Sequence, residues 1–285
     1  MPAIGGDTMY RNATRTQIKL LLCQWGTLLA FGLLLALMLN NFVENVLEHQ
    51  GTEVVLMYHP MKLLSLSYDK TNYKADTMIM LVQLVPLLIC IPAALSLAKE
   101  QHTGESVLMV SRLGTRTYLF SKVTAVFVVT TLVFSLPFLL EIVLNCISFP
   151  LKATGDLANW SIYEEEYIET TKNFLLYPIY RVSPYLYAVV ETLRFGATIG
   201  LLAAATTTLS ALVRVKFRVL LLLPAFLLLQ LSAYLSQFFD VYWANYVTLF
   251  HGEARNDLLF GVVTLTLLVF VILGTLLASE KDWRN

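Results

Sequence analysis

Long uncharged apolar runs alternate with polar segments along the whole chain. A helix needs about 20 residues to cross the hydrocarbon core of a bilayer. Six runs reach that length, and they are uniformly apolar rather than alternating residue by residue, as the strands of a membrane barrel would be. We therefore expect an all-α polytopic membrane protein with transmembrane helices at about 20–39, 77–98, 123–148, 187–213, 220–239 and 258–278.

The composition agrees with this pattern. The chain has 285 residues, of which 57% are hydrophobic and 14% are charged, whereas about 25% of the residues in a soluble domain are charged. A polar stretch of nineteen residues precedes the first apolar run, which favours an uncleaved anchor over a secretory signal peptide. We expect one transmembrane domain over 1–285, with 1–19 as a cytoplasmic interfacial segment.

Basic residues indicate the orientation, since cytoplasmic loops carry an excess of Lys and Arg. With a cytoplasmic N-terminus, the inner segments contain twelve of the 20 basic residues and five acidic ones. The outer segments contain seven basic and thirteen acidic residues. Both termini are therefore predicted to be cytoplasmic. The inner basic residues are Arg11, Arg15, Lys19, Lys99, Arg112, Arg116, Lys122, Arg214, Lys216, Arg218, Lys281 and Arg284.

The sequence contains no motif for intrinsic catalysis. It has no GxxxxGK[ST] phosphate-binding loop, no HExxH and no GxSxG. Its histidines are scattered, and its three cysteines lie in apolar runs without metal-ligand spacing. We expect no catalytic residue, no bound cofactor or metal, no nucleic-acid partner and no ATP hydrolysis by this chain.

A charged segment, KEQHTGESVLMVSRLGTRTYLFSK at 99–122, separates the second and third predicted spans. A connection between helices usually needs only a few residues. The order of residues predicts a short helix over ESVLMV at the cytoplasmic surface, followed by a basic turn at Arg112, Gly114 and Arg116. Such a helix can dock on another protein. A merely basic loop that obeys the charge rule is the alternative interpretation.

The segment resembles the stretch between the second and third spans of type-2 ABC exporter permeases. In that family an acid, a glycine, a small apolar helix and a basic turn precede a lysine that opens the next span. The turn SRLGTR departs from the family pattern because it lacks a proline, and Glu105 replaces a more usual threonine. The matching residues are Glu100, Gly104, Leu108, Met109, Arg112, Arg116 and Lys122.

The resemblance implies a mechanism and partners. Two permease subunits, as a homodimer or a heterodimer, would pair in the cell (plasma) membrane with two copies of an ATPase subunit that binds ATP and Mg²⁺. The short helix would sit in a cleft of the ATPase. The residues predicted to couple to it are Glu100, Gly104, Glu105, Leu108, Met109, Arg112, Arg116 and Lys122.

The N-terminal segment has the pattern of an interfacial helix. Arg11, Arg15 and Lys19 stand at i, i+4 and i+8, which places them on one stripe of a helix. Such a basic helix is expected to lie at the inner membrane surface before the first span. A solvated tail is the alternative.

Three ionisable residues fall inside predicted spans. Glu191 and Arg194 stand at i and i+3 near the outer start of the fourth span, close enough to pair. Glu141 lies near the outer end of the third span and could also reach Arg194. These three residues are predicted to close the outer end of a transport pathway, unless they simply reach toward lipid headgroups.

Three function classes are compatible with these features. The first is an exporter permease for an amphipathic substrate such as a peptide or antibiotic. The second is a sensor or immunity subunit that binds such a peptide without moving it. The third, a membrane enzyme acting on lipid, is disfavoured because no catalytic residues cluster.

Overall fold

The computed structural model describes residues 4–48, 50, 64–66, 84–85, 87–89, 91, 95–149, 176–213, 220–221, 223–231, 234, 238–239 and 257–281. Every regular element in these residues is helical, which confirms the predicted all-α class. The helices are α1 (Ile4–Leu22), α2 (Trp25–Glu48), α3 (Ser96–Thr103), α4 (Glu105–Leu113), α5 (Thr115–Ser148), α6 (Tyr177–Val182), α7 (Pro184–Leu212), α8 (Leu223–Phe226), which leads into a π-helix at Leu227–Leu231, and α9 (Asp257–Ser279).

Four helices among the described residues are long and apolar enough to cross a membrane. They contain the stretches Trp25–Leu47, Thr115–Ser148, Tyr185–Leu212 and Phe260–Ser279. These correspond to the first, third, fourth and sixth predicted spans. The two remaining predictions, at 77–98 and 220–239, lie only partly among the described residues.

Two predicted boundaries differ from the helices. The first span begins at Trp25 rather than near residue 20, because α1 ends at Leu22 and the chain turns before α2. The buried Thr27 hydroxyl donates to the Leu21 carbonyl over 2.7 Å and closes this break. Helix α5 begins at Thr115, eight residues before the predicted third span, and has 34 residues. At 1.5 Å per residue it is about 50 Å long, so it extends well beyond a bilayer core of about 30 Å.

Helices α5 and α7 form the central pair, and two glycines of α7 bring their backbones together. A Cβ atom on Gly196 would lie 1.9 Å from Ser135 Oγ, and one on Gly200 would lie 2.3 Å from Thr131 Oγ1. This is the small-xxx-small spacing that allows close helix packing in membranes. Beside it, the Phe195 ring meets the rings of two α5 residues edge-on, with centroids 6.2 and 5.8 Å apart. The two rings belong to Phe134 and Phe138.

A second apolar cluster joins the ends of four helices. The ends of α3, α5, α7 and α9 that the charge pattern assigns to one membrane side therefore lie together. Near this cluster, Thr208 Oγ1 of α7 lies 3.3 Å from Thr275 Oγ1 of α9. The buried residues of this cluster are Leu97, Tyr118, Leu119, Ala211 and Ala278.

Candidate functional site

The segment at 99–122 folds as two short helices joined through glycines with positive φ angles. Helix α3 ends at Thr103, Gly104 adopts a left-handed conformation with φ 77° and ψ −1°, and α4 follows. Gly114 has φ 78° and ψ 148°, close to a backbone region that is essentially restricted to glycine, and it starts α5. The predicted short helix is thus confirmed, whereas Arg112 and Arg116 of the predicted basic turn lie within α4 and α5, with Gly114 between the two helices.

Helix α4 has one face against the protein and one face in the open. Met109, Val110 and Leu113 pack against the cluster at the helix ends. Because this cluster joins α3, α5, α7 and α9, the packing holds α4 in place. The exposed side chains, which we call the coupling surface, are Glu105, Val107, Leu108, Ser111 and Arg112.

The coupling surface has an apolar centre and charged ends. Leu108 is 65% exposed and Val107 is 42% exposed. Glu105, three residues before Leu108, and Arg112, four residues after it, share its side of the helix. An exposed apolar side chain between opposite charges can enter a groove of a partner, while the charges set the orientation.

A buried polar cluster lies directly behind this surface. Lys122 of α5 has no exposed surface, and its Nζ lies 2.5 Å from Glu100 Oε1 of α3. The same ammonium donates to Gln17 Oε1 of α1 over 3.1 Å. The Tyr118 hydroxyl donates to the other Glu100 oxygen. A buried charge is tolerated only when it is paired and hydrogen-bonded, and these residues meet both requirements across three helices.

The eight predicted coupling residues therefore divide into three groups. Five of them are exposed, namely Gly104, Glu105, Leu108, Arg112 and Arg116. Met109 is half-buried on the inner face of α4. Glu100 and Lys122 point into the protein and bind each other, and their role in coupling to an ATPase stays a prediction. Together they hold α3 against α5.

The sequence prediction missed Gln17 and Tyr118 at this cluster. One signal was present, since Tyr118 and Lys122 stand at i and i+4 and so share a face of α5. The sequence does not indicate that Gln17 contacts this face, because Gln17 lies more than one hundred residues away in the chain. It contacts Lys122 only because α1 packs on α5.

The predicted pair of Glu191 and Arg194 is confirmed. Arg194 Nη2 lies 2.6 Å from Glu191 Oε2, and both side chains are largely buried. The Arg194 guanidinium also lies over the Phe260 ring of α9, 4.8 Å from its centroid. This cation–π contact ties α7 to α9 at the level of the ion pair.

Glu141 of α5 is buried, and its carboxylate accepts several hydrogen bonds. Asn41 Nδ2 of α2 lies 2.7 Å from Glu141 Oε1. The Ser65 hydroxyl lies 2.7 Å and the Ser65 amide 3.0 Å from the same oxygen. The carboxylate therefore joins α2, α5 and the turn at 64–66. A gate formed by Glu141, Glu191 and Arg194 stays a prediction.

Among the described residues, no group of three or more His, Cys, Asp or Glu side chains is arranged to hold a metal ion. Comparisons of the chain with protein-family models, with curated proteins and with solved structures found no match. The geometry of the coupling surface and the resemblance of its sequence are therefore the features that bear on function.

Proposed function

We propose that this chain is the membrane-spanning permease subunit of an ATP-driven ABC exporter, with both termini cytoplasmic, in the cell membrane. It moves an amphipathic substrate such as a peptide or antibiotic. The main observation in support of the proposal is the exposure of Leu108. This side chain is 65% exposed on a short helix whose opposite face is anchored to the transmembrane helices.

The exposure of Leu108 supports a docking role. Docking would remove the exposed part of Leu108 from water, and burial of apolar surface is the main favourable term in most protein association. Such a contact requires a partner groove at the end of the bundle where α3, α5, α7 and α9 meet. Glu105 and Arg112 on the same face would select the orientation of that partner.

The packing behind α4 supports transmission of movement. Met109, Val110 and Leu113 contact the cluster that contains Ala211 of α7 and Ala278 of α9. A displacement of α4 would therefore move the ends of two spanning helices as well as α5. Since interiors are close-packed, they transmit such strain instead of absorbing it.

The remaining components of the system belong to other chains. ATP and Mg²⁺ would bind two ATPase subunits, and a second permease, identical or different, would complete the pathway. The alternative function is a sensor or immunity subunit that binds a peptide without moving it, and the test below distinguishes the two.

The experiment is co-expression of the chain with any ABC ATPase that the neighbouring reading frames encode, followed by affinity purification and an ATPase assay in proteoliposomes. We expect the two proteins to copurify and Leu108→Asp to reduce both complex formation and ATPase stimulation at least tenfold. Val182→Asp is the matched control, because Val182 is 79% exposed just before α7, at the opposite end of that helix.

Failure of any ATPase to copurify would overturn the permease assignment. Peptide binding by the purified chain alone, without ATPase association or peptide accumulation in vesicles, would favour the sensor or immunity function. Equal effects of Leu108→Asp and Val182→Asp would show that the coupling surface is not the docking site.

A further inference from the structure

Helix α1 presents two faces of different character. One face is buried against the protein and the other is exposed, and all three basic side chains of the helix are on the exposed face. Their spacing of four residues keeps them on one stripe. The buried side chains are Ala13, Gln17 and Leu21, and the exposed basic ones are Arg11, Arg15 and Lys19.

Two hydrogen bonds join α1 to α5. Tyr10 Oη lies 2.9 Å from Thr124 Oγ1, and Gln17 Oε1 lies 3.1 Å from Lys122 Nζ. The contacts advance by seven residues along α1, about 10 Å, but by only two residues along α5, about 3 Å. Both contacts fall within the first ten residues of α5, so α1 packs on the end of α5 that the charge pattern assigns to the inner side.

Exposed apolar side chains lie beside the basic stripe of α1, at the edge of its buried face. Met9 is 40% exposed and Leu20 is 48% exposed, and Trp25, which begins the first span, is 78% exposed. Asp7 is the one acidic residue in the sequence of the helix. A helix with one stripe of exposed cations and exposed apolar side chains beside it matches a surface of anionic headgroups above acyl chains.

We propose that the exposed face of α1, defined by Arg11, Arg15 and Lys19, binds the headgroups of anionic phospholipids. The opposite face carries Gln17 to the Glu100–Lys122 pair. Anionic lipid therefore holds α1 at the membrane surface and fixes one partner of the buried polar cluster. The site does not depend on an ATPase partner, and its test uses none.

Trp25 is a natural reporter for this site because it lies directly after α1. The triple substitution Trp160→Phe, Trp243→Phe and Trp283→Phe leaves it as the single tryptophan of the full chain. This protein is reconstituted in nanodiscs of phosphatidylcholine and phosphatidylglycerol, with either lipid brominated on its acyl chains. The ratio of the two quenching efficiencies measures the lipid selectivity next to α1.

We expect brominated phosphatidylglycerol to quench Trp25 more strongly than brominated phosphatidylcholine, with a preference that weakens as salt is added. Each cation removed by Arg11→Gln, Arg15→Gln or Lys19→Gln should reduce the selectivity by about fivefold at low salt. The matched control, Arg11→Lys with Arg15→Lys and Lys19→Arg, keeps the charges and should keep the selectivity.

Two results would overturn the proposal. One is equal quenching of the parent protein by the two lipids at low salt. The other is an unchanged preference after the three glutamine substitutions, with circular dichroism showing that the helices are intact. If the triple glutamine variant does not fold, the three single variants decide in the same way.

Discussion

The Lys122 ammonium and the Glu100 carboxylate form an ion pair of 2.5 Å that joins the long helix α5 to the end of α3 behind the coupling surface. The lysine has no exposed surface, and the glutamate side chain is 13% exposed. Tyr118 donates to the same carboxylate and Gln17 accepts from the same ammonium. Four side chains from three helices thus stabilise one another within a region that sequence alone assigns to a partner interface.

Breaking this pair should destabilise the protein strongly. Lys122→Met leaves the Glu100 charge without its partner, and we expect a loss of about 3–5 kcal/mol in the free energy of unfolding. The double variant Lys122→Met with Glu100→Gln should lose less stability than Lys122→Met alone, because no uncompensated charge remains. Thermal unfolding in detergent measures both, and the exposed Lys99→Met on α3 is the control. Equal losses for Lys99→Met and Lys122→Met would contradict the importance of the pair.

The glycines between α5 and α7 allow a sharper test of packing. Gly200→Ala places a Cβ atom 2.3 Å from Thr131 Oγ1 and 2.8 Å from the Phe127 carbonyl oxygen. Since overpacking costs about 1–3 kcal/mol, we expect a corresponding drop in stability. Gly196→Ala should behave similarly, but Ser135→Ala should partly rescue it by removing the atom at 1.9 Å.

Gly261→Ala is the matched control for this pair, because a Cβ atom there meets nothing within 4 Å. Alanine in an open helical position should leave the stability unchanged or raise it by up to about 1 kcal/mol. Rescue of Gly200→Ala by Ser135→Ala would count against the geometry, since the clash at that glycine involves other atoms.

The two glycines that flank α4 should differ in what they tolerate. Gly104 has a left-handed conformation that asparagine adopts more readily than branched residues. Gly104→Asn should therefore lower the free energy of unfolding by less than about 1 kcal/mol. Gly104→Val should lower it by more. At Gly114, φ is 78° and ψ is 148°. This conformation disfavours every side chain, so Gly114→Asn should destabilise the protein about as much as Gly114→Ala. Thermal unfolding of the four variants checks this order, and a Gly114→Asn variant as stable as Gly104→Asn would contradict it.

The pair of Glu191 and Arg194 allows a charge-exchange test. Arg194→Glu places two acids together in a largely buried position, and we expect a loss of about 3 kcal/mol or more. The exchange Glu191→Arg with Arg194→Glu restores an ion pair and should recover part of that stability. The recovery is incomplete because the cation leaves the Phe260 ring. Arg181→Glu at an exposed position is the control.

The same variants test the predicted outer gate. If these residues close a pathway, the exchange variant should transport at a changed rate once its stability is restored. Transport at the parent rate by Arg194→Glu in a folded protein would discard the gate.

Several features could be predicted from sequence because their cause is local. Runs of apolar residues predicted the helices at four spans, and the spacing of Glu191 and Arg194 predicted their pairing. The order of residues in ESVLMVSRLG predicted a short helix and a turn, because glycine permits the positive φ angle that ends it.

Other features depend on distant contacts. The sequence around Lys122 has the pattern of an exposed, charged segment. The direction of the Lys122 side chain is set instead by Glu100 and Gln17, which contact it from two other helices. Glu141 is held by Asn41 and Ser65, which are far away in the chain. Spacing along one helix contains no information about such partners.

By itself the sequence determined the all-helical class, four helices long and apolar enough to cross a membrane, and the basic stripe of α1, since hydrophobicity and helical period act within each segment. Only the tertiary structure decided which charges face a partner and which are buried. A charged side chain is buried only where other helices supply its counter-charge and hydrogen bonds, and that supply exists only after the helices have packed.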